Sequence, residues 1–335
     1  MKFDFVIGNP PYQEETKSDS TRMPPIYHLF MEESYKIGKT VELITPARFL
    51  FDAGWTPSEW NQKMLNDEHF KILHYEQVSS NVFSNTDIKG GIAIHYHNEN
   101  EKFNPIGTFT VFPELNSILQ KVLTKGITGV DTIVHPALSF GLTSKVNEDY
   151  PDLVDRLRTN AFSSLSAIFH DQAPEDGHDY IRLLGLDNLK RCYKWVRRDY
   201  ISDKEKILDY WKVLLPKSNG SGALGEVLST PLIGEPLIGY TQSFISIGPF
   251  GNKDEAENAM KYIKSKFART MLGILKTTQD NPRPKWKYVP LQDFTAASDI
   301  DWSKSIAEID RQLYAKYGLD ENEINFIETK VKEMQ

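Results

Sequence analysis

The residues with the clearest chemistry are Asn9-Pro10-Pro11-Tyr12, at the end of the apolar run Phe3, Phe5, Ile7. Proline fixes φ and carries no N–H, so two in a row end a strand abruptly and stiffen the turn behind it. The Asn9 side chain and the Pro10 carbonyl are thereby held in set directions. Each offers an acceptor, and together they match the two hydrogens of an amino group. Tyr12 adds a flat surface directly afterwards. A planar substrate bearing an NH2 group fits such a turn, its ring stacked on Tyr12. Asn-Pro alone marks any tight turn, but the full tetrapeptide behind FDFVIG is far more specific.

Other clusters carry less. Asp176-Gly177-His178-Asp179 is the one run worth inspecting for a metal, and it reads better as a surface turn. His95 and His97 share a strand face without an evident third ligand. The single cysteine, Cys192, excludes a disulfide framework and multi-cysteine zinc or iron–sulfur sites. No metal is therefore expected. The N-terminus has no basic stretch followed by an apolar run, and no window approaches the ~18 apolar residues of a membrane span. A cytoplasmic location without membrane contact is the expectation.

Positioning the tetrapeptide requires a strand before it and a helix after it. Phe3–Ile7 reads as the strand, and Ile26–Ile37, stopped by Gly38, as the helix. Thr40–Ala47 is a second strand. Thr56-Pro57-Ser58-Glu59 then provides an N-cap, a proline at the first helical position and a capping-box glutamate. Ile72–Val82 and Ile88–Tyr96 are further strand candidates, so the first ~100 residues suggest a largely parallel, helix-covered sheet. Ligands of such sheets sit beyond the carboxyl ends of the strands, where Asn9 falls. Beyond Glu101 the pattern loosens. Leu115–Leu123 and Leu153–Leu157 look helical, Tyr180–Leu186 extended, and Asp254–Lys276 one long helix. Ser305–Tyr317 and a segment capped by Asp320 and Glu323 form a closing helical pair.

The 335 residues suffice for two domains or more, and the 40% hydrophobic fraction for a large core. A net charge of −7 argues against a polyanionic partner only if it is evenly spread. It is not: Arg182 to Lys287 holds 19 Lys and Arg against 11 Asp and Glu, an excess of 8, leaving a deficit of 15 elsewhere. A polyanion responds to the field within ~8–10 Å, so this stretch permits nucleic acid as a partner. Tyr193, Trp195, Tyr262, Phe267 and Trp286 are interleaved with its basic residues.

At these residues the chain resembles the N6-adenine branch of the amino-methylating, S-adenosylmethionine-dependent DNA methyltransferases. FDFVIGNPPY is similar to their catalytic motif, IYHLFMEESYKIG to the following helix and TVELITPARFL to the next strand. VFSNTDIKGGIAI resembles the later motif whose aromatic residue packs on an extruded base, a place taken by Phe83. The family usually has proline next, where this chain has Ser84. The segments NGSGA, TQDNPRPKWKYVPLQDF and DIDWSKSIAEIDRQLYAKYGL resemble the specificity region of bifunctional restriction–modification methylases.

The resemblance implies a partial doubly wound methyltransferase sheet (1–105), an α+β DNA-specificity domain (106–300) and a C-terminal helical tail (301–335). It implies catalysis by Asn9, Pro10, Pro11 and Tyr12 on an adenine extruded from double-stranded DNA and held between Tyr12 and Phe83. Lys190, Arg191, Lys194, Arg197, Arg198, Lys217, Ser218, Asn219, Gly220, Arg283, Lys285 and Lys287 are the candidate DNA contacts. A complete enzyme also needs a strand, a glycine-rich turn and an acidic residue to bind S-adenosylmethionine. No good candidate for these is found, so the donor half is expected from elsewhere. Either an upstream-encoded polypeptide or self-association would then meet the Phe3–Ile7 edge. Two alternatives stay open: a DNA-binding specificity module without activity of its own, and a methyltransferase acting on RNA or a protein amide.

Overall fold

The computed structural model describes residues 2–14, 24–52, 55–84, 86, 88, 90–153, 157–220, 223–276 and 279–334. Most of the expected Leu153–Leu157 helix, the loop 16–23 and part of the glycine-rich 218–222 loop lie outside the described residues. The fold is mixed α/β, and contacts divide it into two compact units, 1–116 and 117–335.

The first unit holds β1 (Phe3–Gly8), α1 (Tyr27–Ile37), β2 (Gly38–Pro46), α2 (Ser58–Leu65), β3 (Phe70–Glu76), β4 (Ile92–Asn98) and the start of α3 (Pro113–Leu123). Its sheet runs in the order β1-β2-β4-β3. β1 and β2 are parallel, but β4 is antiparallel to both β2 and β3. The sheet is therefore mixed rather than largely parallel, because β3 reaches β4 through a loop instead of a crossover helix. Tyr27 and Met31 of α1, Trp60, Met64 and Leu65 of α2, and Val41, Leu43, Phe70 and Ala93 of the strands close one core. Both helices thus cover the same sheet face. α2 begins one residue later than its cap signature implies: Pro57 is the N-cap, and the Thr56 hydroxyl bonds Asn61 Oδ1 at 2.6 Å instead.

The second unit holds β5 (Val134–His135), β6 (Phe140–Leu142), α4 (Ser144–Asp149), α5 (Ala161–Ser164), β7 (Tyr180–Asp187), β8 (Lys190–Arg197), β9 (Ile201–Asp203) and β10 (Trp211–Pro216). β11 (Leu232–Gly234), β12 (Ile238–Tyr240), β13 (Phe244–Phe250), α6 (Lys253–Lys264), α7 (Lys266–Gly273), α8 (Ile306–Tyr317) and α9 (Glu321–Lys330) follow. Its sheets are ordered β11-β10-β13-β5, β12-β7-β8 and β6-β9. Lys212 is wholly buried in β10, its ammonium 3.1–3.4 Å from the carbonyls of Leu208, Glu235 and Ile238. Burial lowers it to about 8, and three carbonyls replace the water it loses.

The long helix expected over Asp254–Lys276 is broken at Ser265. Its hydroxyl caps α7 by accepting the Ala268 N–H, and the Asp310 carboxylate on α8 accepts the N–H groups of Lys266 and Phe267 at 3.0 and 2.9 Å. With these donors taken, the break lets α7 turn against α8 and α9. The closing helices match their signals: Ser305/Glu308 and Asp320/Glu323 form complete capping boxes, and Gly318 ends α8 in the left-handed region.

Burial raises the Asp310 carboxyl to about 6 from an ordinary 3.8. The folded chain then holds this proton more tightly than the unfolded chain. The associated stability is complete below about pH 4 and lost as pH rises through about 6. In urea unfolding, the stability of the parent relative to Asp310→Asn should fall between pH 4 and 7. A difference that grows with pH would mean the two N–H donors outweigh burial.

Candidate active site and nucleic-acid interface

β1 positions the tetrapeptide. Its register on β2 pairs Phe5 with Thr40, Val6 with Val41, Ile7 with Glu42 and Gly8 with Leu43, placing Asn9 just beyond the carboxyl end of the sheet. Behind the prolines the chain is fastened to the start of α1. Ile26 N–H donates to the Tyr12 carbonyl at 3.1 Å, Glu14 N–H to the Pro24 carbonyl at 3.2 Å, and Gln13 bridges Pro25. Asn9 is exposed. Tyr12 is half-buried, its ring against the first-unit core. Burial raises its phenol to about 12, opposed by the facing Asn9 side chain, although the pair falls short of a directed hydrogen bond.

Phe83 lies in the loop after β3, half-buried, its N–H donating to the Ser79 carbonyl at 2.9 Å. β3 runs in the direction of β1, so Phe83 and Asn9 leave the sheet at the same end. Three strand intervals separate them, ~14 Å at the usual ~4.8 Å spacing.

A Cβ on Gly90 would stand 2.6 Å from the Arg48 side chain, and one on Gly91 2.4 Å from the Glu76 carbonyl. The space beside both Cα atoms is thus taken by Arg48 and by the end of β3. Cavities of about 710, 490 and 480 Å³ lie in the second unit, and their linings do not include Asn9–Tyr12.

β1 itself is unusual. Phe3, Phe5 and Ile7 are 64%, 69% and 76% exposed. They share the sheet face of Thr40, Glu42, Ile44, Ile94 and Tyr96, opposite the face covered by α1 and α2. Among the described residues no strand pairs with the outer edge of β1. Leu29, Phe30 and Ile37 on α1 are also 43–52% exposed.

The basic stretch divides into paired and unpaired charges. Lys194 meets Asp171, and Asp187 at 3.6 Å; Arg197 meets Asp199 at 2.5 Å and Asp149 at 3.5 Å; Arg198 meets Asp209 at 3.2 Å. Two of these acids, Asp149 and Asp171, come from outside the basic stretch and offset its excess. Lys190, Arg191, Lys217, Arg283, Lys285 and Lys287 have no carboxylate partner among the described residues. Arg191 donates to the Thr230 carbonyl at 2.6 Å, and Arg283 to that of Asp131 at 2.7 Å. Asn219 is buried, with Nδ2 on the Val227 carbonyl and Oδ1 on Ser229, while Ser218 bonds Asp280 at 2.5 Å. Gly220 is exposed at φ +65°.

Tyr262, Phe267 and Trp286 are at most 1% exposed and belong to the core, not to a nucleic-acid face. Tyr193 and Trp195 remain accessible on β8, flanking Arg182, whose guanidinium lies 5.7 and 5.6 Å from their rings. The β7–β8 hairpin that carries them had a signal in the sequence: a polar turn between two runs rich in aromatic and aliphatic residues.

Asp176 accepts from the Tyr180 hydroxyl at 2.8 Å within an exposed turn. His95 is buried between Phe49 and Phe70 with neither ring nitrogen bonded, and burial lowers it to about 3. His97 stacks on Tyr35 at 4.1 Å. Among the described residues no three His, Cys, Asp or Glu side chains are placed to hold a metal, and no helix is long and apolar enough to cross a membrane.

Residues 1–83 match the model of the Eco57I restriction-modification methylase family. An "Uncharacterized adenine-specific methylase" of Mycoplasma pneumoniae (strain ATCC 29342 / M129 / Subtype 1) is 30% identical over 95 residues, 28% of this chain and 22% of that protein. Among solved structures, the type IIG restriction endonuclease BpuSI is similar over 98% of this chain and 53% of its own, with 10% identity and a TM-score of 0.34. The type IIL restriction-modification enzyme MmeI, solved in complex with DNA, is similar over 97% and 56%, with 10% identity and a TM-score of 0.33. The chain thus spans about a fifth of that curated relative and about half of these two structures. The portion holding the Asn9–Tyr12 turn is similar to restriction–modification methylases.

Proposed function

We infer that this chain is the acceptor-binding and DNA-specificity part of a restriction–modification methyltransferase that methylates N6 of adenine. The observation that carries this reading is the exposed Asn9 on a proline-stiffened turn at the carboxyl end of β1, within the segment matched by the methylase family. The adenine leaves the duplex at a cost of a few kcal/mol. Asn9 Oδ1 and the Pro10 carbonyl accept the two N6 hydrogens and favour the positive charge that develops there. Tyr12 stacks on one face of the ring, and Phe83, which leaves the same end of the sheet, is the candidate for the other. S-adenosylmethionine would supply the methyl group, from a donor-binding half that is either joined to these residues or carried by a separate polypeptide. Unpaired cations of the second unit contact DNA phosphates, which favours duplex DNA over a protein amide as substrate.

The donor-bearing polypeptide adds to the outer edge of β1. An apolar edge of this kind pairs readily with a further strand, and the uncovered face beside it would receive helices. A second copy of this chain would cover the edge without bringing a donor site, so it is not the productive occupant.

Methyl transfer to adenine-containing duplex, assayed with S-adenosylmethionine and a donor-binding methyltransferase half supplied with this chain, should yield N6-methyladenine. Asn9→Ala should reduce it by about 10²-fold or more, by analogy with removal of one directed polar contact to a developing charge. Its melting temperature should be unchanged, because Asn9 is exposed. Activity unaffected by Asn9→Ala would overturn the site.

Phe5→Thr with Ile7→Thr should alter the stability of the isolated chain by no more than ~0.5 kcal/mol, as expected for exposed positions. The same pair should abolish association with the donor-bearing polypeptide in sedimentation velocity. Undiminished association would place the joint elsewhere.

A further inference from the structure

The tip of the β7–β8 hairpin carries an unusual residue. Asp187 and Lys190 close the ladder, leaving Asn188 and Leu189 as a two-residue turn. Their φ values are +47° and +64°, the arrangement of a type I′ turn, in which both central residues are left-handed. Asparagine suits the first place, and glycine is usual at the second. Here the second is Leu189, with its side chain 90% exposed. A leucine in that conformation costs ~1–2 kcal/mol, and an apolar side chain in water gains nothing in return.

Leu237 is also left-handed, at φ +65°, but its N–H reaches the Leu208 carbonyl at 2.9 Å and its carbonyl accepts from Arg182 at 3.2 Å. Its conformation is compensated within the fold. Among the described residues nothing compensates Leu189 in the same way, and strain of this kind points to a role met only in a complex.

The surroundings indicate the partner. Lys190, next in sequence, is exposed and has no carboxylate partner among the described residues. Arg191, Tyr193 and Trp195 continue along one face of β8 with Arg182 across the ladder. The hairpin is eight pairs long and held by β12 on its other side, so its tip is rigidly presented. Proteins that distort duplex DNA insert an apolar wedge between base steps while adjacent cations hold the backbone.

Resting on the DNA reading above, we propose that Leu189 is such a wedge: it inserts into the bound duplex and unstacks a base step, with Lys190 on the neighbouring phosphate.

The test uses the full chain and 30-base-pair duplexes carrying 2-aminopurine at staggered positions, with fluorescence reporting unstacking and anisotropy reporting binding. The parent should bind in a salt-dependent manner and raise the fluorescence of at least one duplex. Leu189→Gly relieves the turn, so its melting temperature should equal or exceed that of the parent. It should nevertheless lose the fluorescence rise and bind about tenfold more weakly, while Leu189→Met retains both. Lys190→Ala should keep the fluorescence rise and lower the salt slope by about 1. A parent that binds no duplex overturns the DNA reading and the wedge together. A parent that binds without unstacking, or a Leu189→Gly chain that unstacks DNA as the parent does, overturns the wedge alone.

Discussion

The pairing of β1 with β2, on one side only, is the constraint on which the site depends. It sets the height at which the chain leaves the sheet, and the two prolines then fix where Asn9 points. The same pairing leaves three large apolar side chains in water. Removing that much apolar surface from water is worth ~25 cal/mol per Å², so the edge is a strong site for a further strand. A surface of this kind is costly in a protein meant to act alone. It is expected where a further strand covers the edge.

The second unit carries the excess of basic residues between Arg182 and Lys287. Much of the apparent excess is spent internally: Lys194, Arg197 and Arg198 are in ion pairs, and Lys212 is caged by carbonyls. What remains is a smaller set, including Lys190, Lys217 and Lys287, on exposed or half-exposed positions. Net charge over a stretch therefore overstated the field available to a polyanion. The distinction matters for salt dependence, since an ion already paired releases few counterions when DNA binds.

Signals contained within one turn of chain were legible in the sequence. Gly38 and Gly318 end their helices, and the boxes Ser305/Glu308 and Asp320/Glu323 begin theirs, because each depends on residues three or four apart. The proline stop behind β1 was legible for the same reason. Features set by distant partners were not. The break at Ser265 depends on Asp310, more than 40 residues away. The antiparallel placement of β4 depends on a loop rather than on any strand's own pattern. Tyr262, Phe267 and Trp286 sit among basic residues in the sequence yet face the core, which composition cannot reveal. β7 was legible as Tyr180–Leu186, but β8 was missed because alternating Arg, Lys and aromatic residues resemble a solvated helix as closely as a strand.

The most direct measurement of the central claim is amide hydrogen exchange along Phe3–Gly8. In the isolated chain, the amides on the outer edge of β1 should exchange orders of magnitude faster than those of β2. When the donor-bearing polypeptide is added and methyl transfer appears, the same amides should become protected. Protection of the whole strand in the dilute chain alone, or restored activity with β1 exchange unchanged, would contradict the account.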